Sequence, residues 1–307
     1  MMRVLVTGGA GFIGSHVADA LLAKGHAVTV VDNLIGGKKE FIAQHFENPK
    51  FKFIQADLSD SAQLRTAMRG QEEVWHLAAK PDVRTYDARD FEKDVQITKN
   101  VLKAVHESSV KRIVYSSSSV VYGEAKQIPT PEDAPLNPIS KYGESKAVCE
   151  ALISEHCHTY GTRAWIFRFA NVIGKRGTHG VIVDFIKKLR KNPGELEILG
   201  DGRQSKSYLL VQDCVAGMLT GVEKADEAVN IFNLGCEDWL SVRRIAEIVS
   251  EEMGLSPRFT FTGGERGWPG DVPKMMLDIS KAKSLGWAPS LNSEEAVRKA
   301  VKMMLMP

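Results

Sequence analysis

A doubly wound α/β fold built on a parallel sheet is what this sequence predicts, and three observations predict it. Short β-branched apolar runs alternate with segments whose apolar residues recur at helical spacing. The first run passes through a cluster of glycines directly into a helix. Small, acidic or serine-rich stretches close the runs, where such sheets bind their ligands.

The first unit is the most explicit. Arg3-Val4-Leu5-Val6-Thr7 reads as a strand, followed by Gly8-Gly9-Ala10-Gly11-Phe12-Ile13-Gly14. Val17, Ala18, Leu21 and Leu22 then mark a helix, which Gly25 closes. Thr29-Val30-Val31 is a second buried strand and Asp32 ends it, 18 residues after Gly14. Strand, glycine turn, helix, strand and acid are the context that gives G-x-G-x-x-G its meaning as a dinucleotide site. Glycines allow the tight turn and a close approach of backbone N–H groups to a pyrophosphate, at a helix end that favours anions. A carboxylate at position 32 suits ribose hydroxyls and repels a 2′-phosphate, which favours NAD over NADP. Lys38 and Lys39 pull the other way and read as a solvated loop.

The alternation continues. Phe51-Lys52-Phe53-Ile54 is a strand followed by Asp57-Leu58. Asp57 either reaches the adenine amino group or caps the helix through Leu64 and Met68. The run from Glu73 to Ala79 is a strand ending in small residues, with His76 expected to be packed within it. Val95, Thr98, Leu102 and Val105 mark a helix. Arg112 to Tyr115 is a strand entering Ser116-Ser117-Ser118-Ser119-Val120-Val121-Tyr122-Gly123. Trp165 to Phe169 is a further strand. The strand ends place Gly8 to Gly14, Asp32, Ala78-Ala79 and the serine run on one rim.

Ser140-Lys141-Tyr142-Gly143-Glu144-Ser145-Lys146 precedes an apolar stripe at Val148, Cys149, Leu152, Ile153 and Cys157. In a helix, Tyr142 and Lys146 share a face. An ammonium there favours the phenolate and lowers the tyrosine pKa toward that of a general base. The bland alternative is a solvated pair near a helix start.

Composition narrows the partners. The chain has 307 residues, 43% of them hydrophobic, and its 40 basic and 38 acidic residues leave a formal charge of +2. That balance argues against nucleic acid or an anionic membrane as the main partner. Cys149, Cys157, Cys214 and Cys236 are far apart and without C-x-x-C spacing, which reads as reduced, buried thiols in a cytoplasmic protein. No run of about 18 apolar residues suggests a membrane span. The first residues enter a strand at once and do not read as a signal peptide.

Taken in order, Thr7 to Gly14, Asp32, Asp57-Leu58, His76 to Ala79, Ser117 to Gly123, Tyr142-Gly143-Glu144-Ser145-Lys146 and Arg168-Phe169-Ala170-Asn171-Val172-Ile173-Gly174 resemble an extended short-chain dehydrogenase/reductase. Within that group the chain is most similar to nucleotide-sugar 4-epimerases of the UDP-glucose/UDP-galactose type. The resemblance spans essentially the whole chain. It implies a Rossmann-type cofactor domain, residues 1–173 plus about 211–235, interleaved with a nucleotide-sugar domain, residues 174–210 plus 236–307.

It also implies roles. Ser118, Tyr142 and Lys146 are the expected catalytic residues: Tyr142 takes the proton from the sugar 4-hydroxyl, Ser118 bonds the 4-oxygen, and Lys146 holds the nicotinamide ribose. The expected NAD contacts are Gly8, Gly11, Phe12, Ile13, Gly14, Asp32, Asn33, Asp57, Leu58, Leu77, Ala78 and Ala79, with Tyr142 and Lys146. Hydride leaves sugar C4 for tightly bound NAD and returns to the other face. Dehydratases of the group carry an Asp-Glu pair just after the catalytic serine or threonine, and decarboxylases a Glu. Ser119 and Val120 stand there instead, which points to epimerisation.

Beyond Gly174 the pattern is less regular. Val181 to Lys191 reads as a helix. Asp213 to Met218 starts another, and Val229 to Leu234 is a strand expected to rejoin the sheet. Ser241 caps a helix through Ile245 and Val249, and Ser293-Glu294-Glu295 starts the last one. Gly200-Asp201-Gly202-Arg203-Gln204 resembles the family's uridine turn. Lys206 and Ser207 stand where an arginine and an aspartate are usual, so Lys206 offers a charge without a bidentate fork. Arg266-Gly267-Trp268-Pro269-Gly270-Asp271 resembles the late sugar-nucleotide motif, with Arg266 on the diphosphate and Asp271 on a ribose. A loop salt bridge is the alternative. The expected substrate contacts are Ser118, Asn171, Arg203, Lys206, Arg266, Asp271 and Met275. Met275 falls at the position that tunes tolerance of N-acetyl groups, and Lys80 and Pro81 differ from many relatives. A UDP-sugar is the expected partner and no metal is expected. Members usually dimerise through the helices at Val95–Val105 and at Tyr142. A net oxidoreductase of a nucleotide sugar and a cofactor-sensing binder are the competing readings. The UDP-N-acetylhexosamines and UDP-glucuronate are alternative substrates.

Overall fold

A computed structural model describes residues 1–80, 82–108 and 110–306, so Pro81 lies outside the described residues. The first half runs β1 (Arg3–Thr7), α1 (Phe12–Ala23), β2 (Ala27–Asp32), β3 (Phe51–Gln55), α2 (Ser61–Met68), β4 (Glu73–His76), α3 (Ala88–Ser108), β5 (Arg112–Ser118), α4 (Lys141–Tyr160) and β6 (Arg163–Phe169). There follow β7 (Asn171–Ile173), α5 (Val181–Lys191), β8 (Glu195–Ile198), β9 (Ser205–Lys206), β10 (Tyr208–Leu210), α6 (Val211–Lys224) and β11 (Val229–Leu234). The chain closes with β12 (Leu240–Ser241), α7 (Val242–Glu252), β13 (Arg258–Phe261), β14 (Lys274–Met275), α8 (Ser280–Ser284) and α9 (Ser293–Leu305).

Seven parallel strands form the central sheet in the order β11-β6-β5-β4-β1-β2-β3. Strand residues alternate between two cores because side chains point to opposite faces with a period of two. Val4, Val6, Val28, Val30, Trp75, Val114, Trp165 and Phe167 pack on the α1 and α6 side. Leu5, Val31, Val74, Ile113, Tyr115 and Ile166 pack on the α2, α3 and α4 side. Trp75, Trp165 and Phe167 are fully buried. Each such side chain contributes about 1.5–3 kcal/mol from water exclusion. A third core gathers Ile173, Phe185, Leu196, Tyr208, Ile245, Val249 and Val297, all after residue 172.

Strand order reverses between β1 and β4, the place where such sheets open a crevice at their carboxyl ends. Gly8, Leu77 and Ala78 sit there. Val229 to Leu234 does rejoin the sheet, pairing with β6 from Val229 opposite Ala164 to Leu234 opposite Phe169.

Several local expectations shift by a residue or a role. β4 stops at His76, and the small residues after it form the crevice wall. The α1 cap is Lys24, and Gly25 follows it at φ +83°, its N–H on the Leu22 carbonyl. Asp57 does not cap α2: Asp60 does, accepting from the Ala62 and Gln63 amides. In the last helix Asn292 is the cap, completing a capping box with Glu295, while Ser293 turns its hydroxyl to Asp238. Ser241 caps α7 as its spacing predicts, accepting from the Arg244 amide.

Candidate active site

The glycine turn gives the site its floor. Gly8 stands at φ +68°, and a Cβ there would meet the Ala78 backbone at 2.8 Å. At Gly14 a Cβ would run into the Gly8 carbonyl oxygen. The turn can therefore close only without side chains at both places. Gly11 begins α1 with no side-chain cap, and the first turn carries no acidic residue. Its leading N–H groups stay free for an anion.

Asp32 ends β2 beside this turn and is 7% exposed. Its carboxylate accepts from the Ala10 amide at 3.0 Å and the Leu34 amide at 2.8 Å. Burial pushes its pKa up, while the Leu34 and Ala10 amides pull the other way. Asn33 donates to Asp57 at 2.8 Å, and Lys93 does so at 3.2 Å. Partial burial raises the Asp57 pKa, but hydrogen bonds from Ser59, Asn33 and Lys93 more than reverse this and leave it well below the carboxylate range. Lys38 and Lys39 are exposed, lie over Phe41 and Phe53, and do not line the cavity. The cradle thus fits an adenosine ribose and a pyrophosphate, two of the polar parts of NAD.

A continuous cavity of about 790 Å³ runs from this turn across the sheet rim. Its wall includes Gly8, Gly11, Phe12, Ile13, Gly14, Asp32, Asn33, Asp57, Leu58, Leu77, Ala78 and Ala79 at one end, and Ser118, Tyr142, Asn171, Lys206 and Asp271 further along. The volume is that of a ligand site with a mostly preformed shape.

Tyr142 and Ser118 face this cavity from two different elements. Ser140 caps α4, accepting from the Gly143 amide at 3.1 Å, which sets Tyr142 in the first turn. Ser118 ends β5, and its hydroxyl sits 3.5 Å from the Val120 amide. Among the described residues the Tyr142 hydroxyl has no protein hydrogen-bond partner, so it is available to a ligand. Lys146 lies beneath the wall, 3% exposed, donating to the Ser116 carbonyl at 2.8 Å. Its ammonium is 5.6 Å from the centre of the Tyr142 ring and 4.9 Å from that of Tyr115.

The expected lowering of the Tyr142 pKa is not present in the site as it stands. Burial pushes the phenol up, and the nearby Asp94 carboxylate pushes it further up. Burial pulls Lys146 down, against Asp94, Cys149 and Glu150. A desolvated ammonium committed to a carbonyl does not overcome the cost of a buried phenolate.

His76 is a packed strand residue, as expected. It is 1% exposed, with Nδ1 at 2.8 Å from the Thr7 hydroxyl and Nε2 at 3.0 Å from that of Thr98. Glu150 and Arg168 form a buried ion pair at 2.7 Å behind the serine run, with Ser117 donating to the same carboxylate. Arg168 also donates to the Tyr122 hydroxyl at 2.8 Å and the Glu132 carbonyl at 2.7 Å. The network fixes the end of β5 and hence Ser118.

The expected substrate contacts divide. Asn171, Lys206 and Asp271 line the cavity, but Arg203, Arg266 and Met275 do not. Lys206 bonds Asp271 at 2.5 Å, and that carboxylate also accepts the Gly267 amide at 3.0 Å. The charge at 206 is thus already paired. Arg266 forms the loop salt bridge that was its alternative reading, to Glu124 at 2.5 Å, and caps the Asp271 carbonyl at 2.5 Å. Arg203 is exposed in the turn. Met275 is 9% exposed, opposite Lys206 in the β14–β9 pair, and packs in the core.

Other residues line the wall, of which Arg84 and Asp94 were not singled out in the sequence, while Trp268 was quoted only within the late motif and Lys80 only as a departure from relatives. Trp268 lines the cavity with a buried Nε1 lacking a partner, and the Lys206 ammonium lies 5.2 Å from its ring centre. Lys80, Arg84 and Asp94 also line it. The available signal for Asp94 was an acid on the apolar stripe it shares with Thr98, Val101 and Val105.

Known proteins agree with this geometry. The profile described as "NAD dependent epimerase/dehydratase family" matches residues 4–235. A putative UDP-glucose 4-epimerase of Methanocaldococcus jannaschii is 36% identical, with 98% of each chain covered. A UDP-glucuronic acid decarboxylase of Arabidopsis thaliana is 33% identical over 98% of this chain and 68% of its own length. A solved structure of a UDP-galactose 4-epimerase superposes with a TM-score of 0.89 at 42% identity, covering 98% of both chains. The chain belongs to the NAD-dependent epimerase/dehydratase family of extended short-chain dehydrogenases/reductases, and it is an enzyme that uses NAD.

Proposed function

We propose that this isomerase interconverts UDP-glucose and UDP-galactose by inverting the sugar at C4. The observation that carries the reading is the pairing of Ser118 and Tyr142 on one wall with no carboxyl group at positions 119 and 120. Elimination and decarboxylation in this group use an acid there, and epimerisation does not.

Bound NAD supplies the acceptor and donor of hydride at sugar C4. Gly8 to Gly14 and the start of α1 hold its pyrophosphate, and Asp32 its adenosine ribose. Lys146, just behind the wall, would reach the nicotinamide ribose with the N–H groups that its bond to the Ser116 carbonyl leaves. Tyr142 takes the 4-hydroxyl proton as the 4-keto sugar forms and returns it afterwards, while Ser118 orients the 4-oxygen. Asn171, Lys206 and Asp271 line the part of the cavity that would grip the nucleotide firmly, leaving the keto sugar free to turn. Residues 1–173 with about 211–235 serve the cofactor, and residues 174–210 with 236–307 the nucleotide sugar. UDP-glucuronate is the second reading, favoured by the Arg84 guanidinium on the wall. A homodimer through α3 and α4 fits the outward Val148, 38% exposed. Work in the cytoplasm fits four free, buried cysteines.

Purified protein given UDP-galactose without added cofactor tests the reading. UDP-glucose should appear with no net NADH. NADH accumulating in proportion to substrate consumed would make it a net oxidoreductase. Parallel runs with UDP-N-acetylgalactosamine and UDP-glucuronate rank the substrates.

A further inference from the structure

Tyr142 is also packed against groups to which the proposed reaction gives no role. Tyr86, in the turn before α3, sets its ring edge-on to that of Tyr142 with centres 5.3 Å apart. Its hydroxyl bonds the Asp94 carboxylate at 2.7 Å, the Ser145 hydroxyl at 2.9 Å and the Asp90 carbonyl at 3.1 Å. Asp94 lies on α3, 7% exposed, with its side chain on the cavity wall. Its own carbonyl accepts from Thr98 at 2.9 Å and from Cys149 of α4. Tyr86 therefore holds the Asp94 carboxylate while packing on the Tyr142 ring, and α3 and α4 meet at the Asp94 backbone.

We propose that Asp94, held by Tyr86, is a positioning residue that competes with Tyr142 for the charge of Lys146 and so sets the pH at which the base works. Asp94 feels the charges of Lys146 and Asp90. Lys146 faces Asp94, Cys149 and Glu150, and its charge is felt at His76. Tyr115 of β5 lies against the same ammonium. Asp94 is the carboxylate whose charge opposes the Tyr142 phenolate. In a buried site a like charge is hard to screen.

A phenolate beside a carboxylate is disfavoured, so an amide at position 94 should favour it. The base is the deprotonated form, so activity should then persist to lower pH. Removing the Tyr86 hydroxyl leaves the Asp94 charge in place without its donor, and should act the other way.

The inference rests on Tyr142 being the base, and its test reads that group directly. NAD-loaded protein is titrated by phenolate absorbance, and the Tyr142→Phe curve is subtracted to leave the Tyr142 midpoint. In Asp94→Asn the midpoint should fall by about one unit or more, and the acidic limb of the epimerisation rate should move with it. In Tyr86→Phe it should rise. An Asp94→Asn midpoint that stays put, or a Tyr86→Phe midpoint that falls, overturns the proposal. If Asp94→Asn does not fold, Tyr86→Phe decides alone. Parent protein without turnover would sink the epimerase reading and leave the titration to judge Asp94.

Discussion

The Lys146 ammonium lies 5.6 Å from the centre of the Tyr142 ring and donates to the Ser116 carbonyl at 2.8 Å. The lysine is thus built into the sheet rim and holds its place before any ligand arrives. The tyrosine hydroxyl next to it has no protein partner among the described residues. One residue of the pair is fixed and the other is free to react.

Tyr142→Phe should fold and bind NAD like the parent, since only a hydroxyl without a protein partner is lost. Turnover should drop about a hundredfold to ten-thousandfold, the usual worth of a positioned base. Progress curves with UDP-galactose, with the NAD content of each sample measured, check both halves. A near-normal rate would remove Tyr142 from its role.

Asp32→Asn should weaken NAD and reduce its preference over NADP. The carboxylate is already oriented by the Ala10 and Leu34 amides, so its loss removes a preset charged acceptor. About a tenfold or greater loss of NAD affinity is expected, from about 1.5–3 kcal/mol for such a bond. Calorimetric titration with both cofactors measures it.

Buried pairing makes a stability prediction at Glu150 and Arg168, whose side chains are 5% and 4% exposed. Glu150→Leu leaves a buried guanidinium unpaired and should cost about 3–5 kcal/mol. Adding Arg168→Met should restore much of that. Urea unfolding of the two variants tests the order, which reverses if the pair is only a surface contact.

His76 should make the fold sensitive to acid. Burial first, and Lys146 second, hold its pKa down at about 3, against an ordinary value of 6.5. Between these values the unfolded chain binds a proton that the folded chain refuses. Stability is therefore full above about 6.5 and is lost as the pH falls toward 3. At pH 5, about 1.5 units below the ordinary value, the cost is about 2 kcal/mol. Unfolding free energies at pH 5 and 7 should show a difference that His76→Asn reduces.

The cofactor half of the site was legible because its signals are local. A glycine turn, a β-branched run and an acid at the strand end each act within a few residues, and chain order alone puts Gly8, Asp32, Ala78 and Ser118 on one rim. Helix α5 could be read from its apolar spacing to the residue. The substrate half was less legible because pairings distant in sequence decide it. Nothing near Lys206 announces that β9 and β14 bring it to Asp271, or that Arg266 turns to Glu124 across the loop. Met275 is adjacent to the late motif in sequence yet alternates inward, into the core. The Tyr142 pKa was misread for a related reason: spacing shows which residues share a helix face, while burial and Asp94, on another helix, decide the sign.

The most direct test of a reversible hydride transfer at one carbon is UDP-galactose carrying deuterium at C4, converted by the protein as purified. The UDP-glucose formed should keep its deuterium at C4, with none in the water and none in free NADH. Deuterium released to solvent, or recovered stoichiometrically in dissociated NADH, would contradict it.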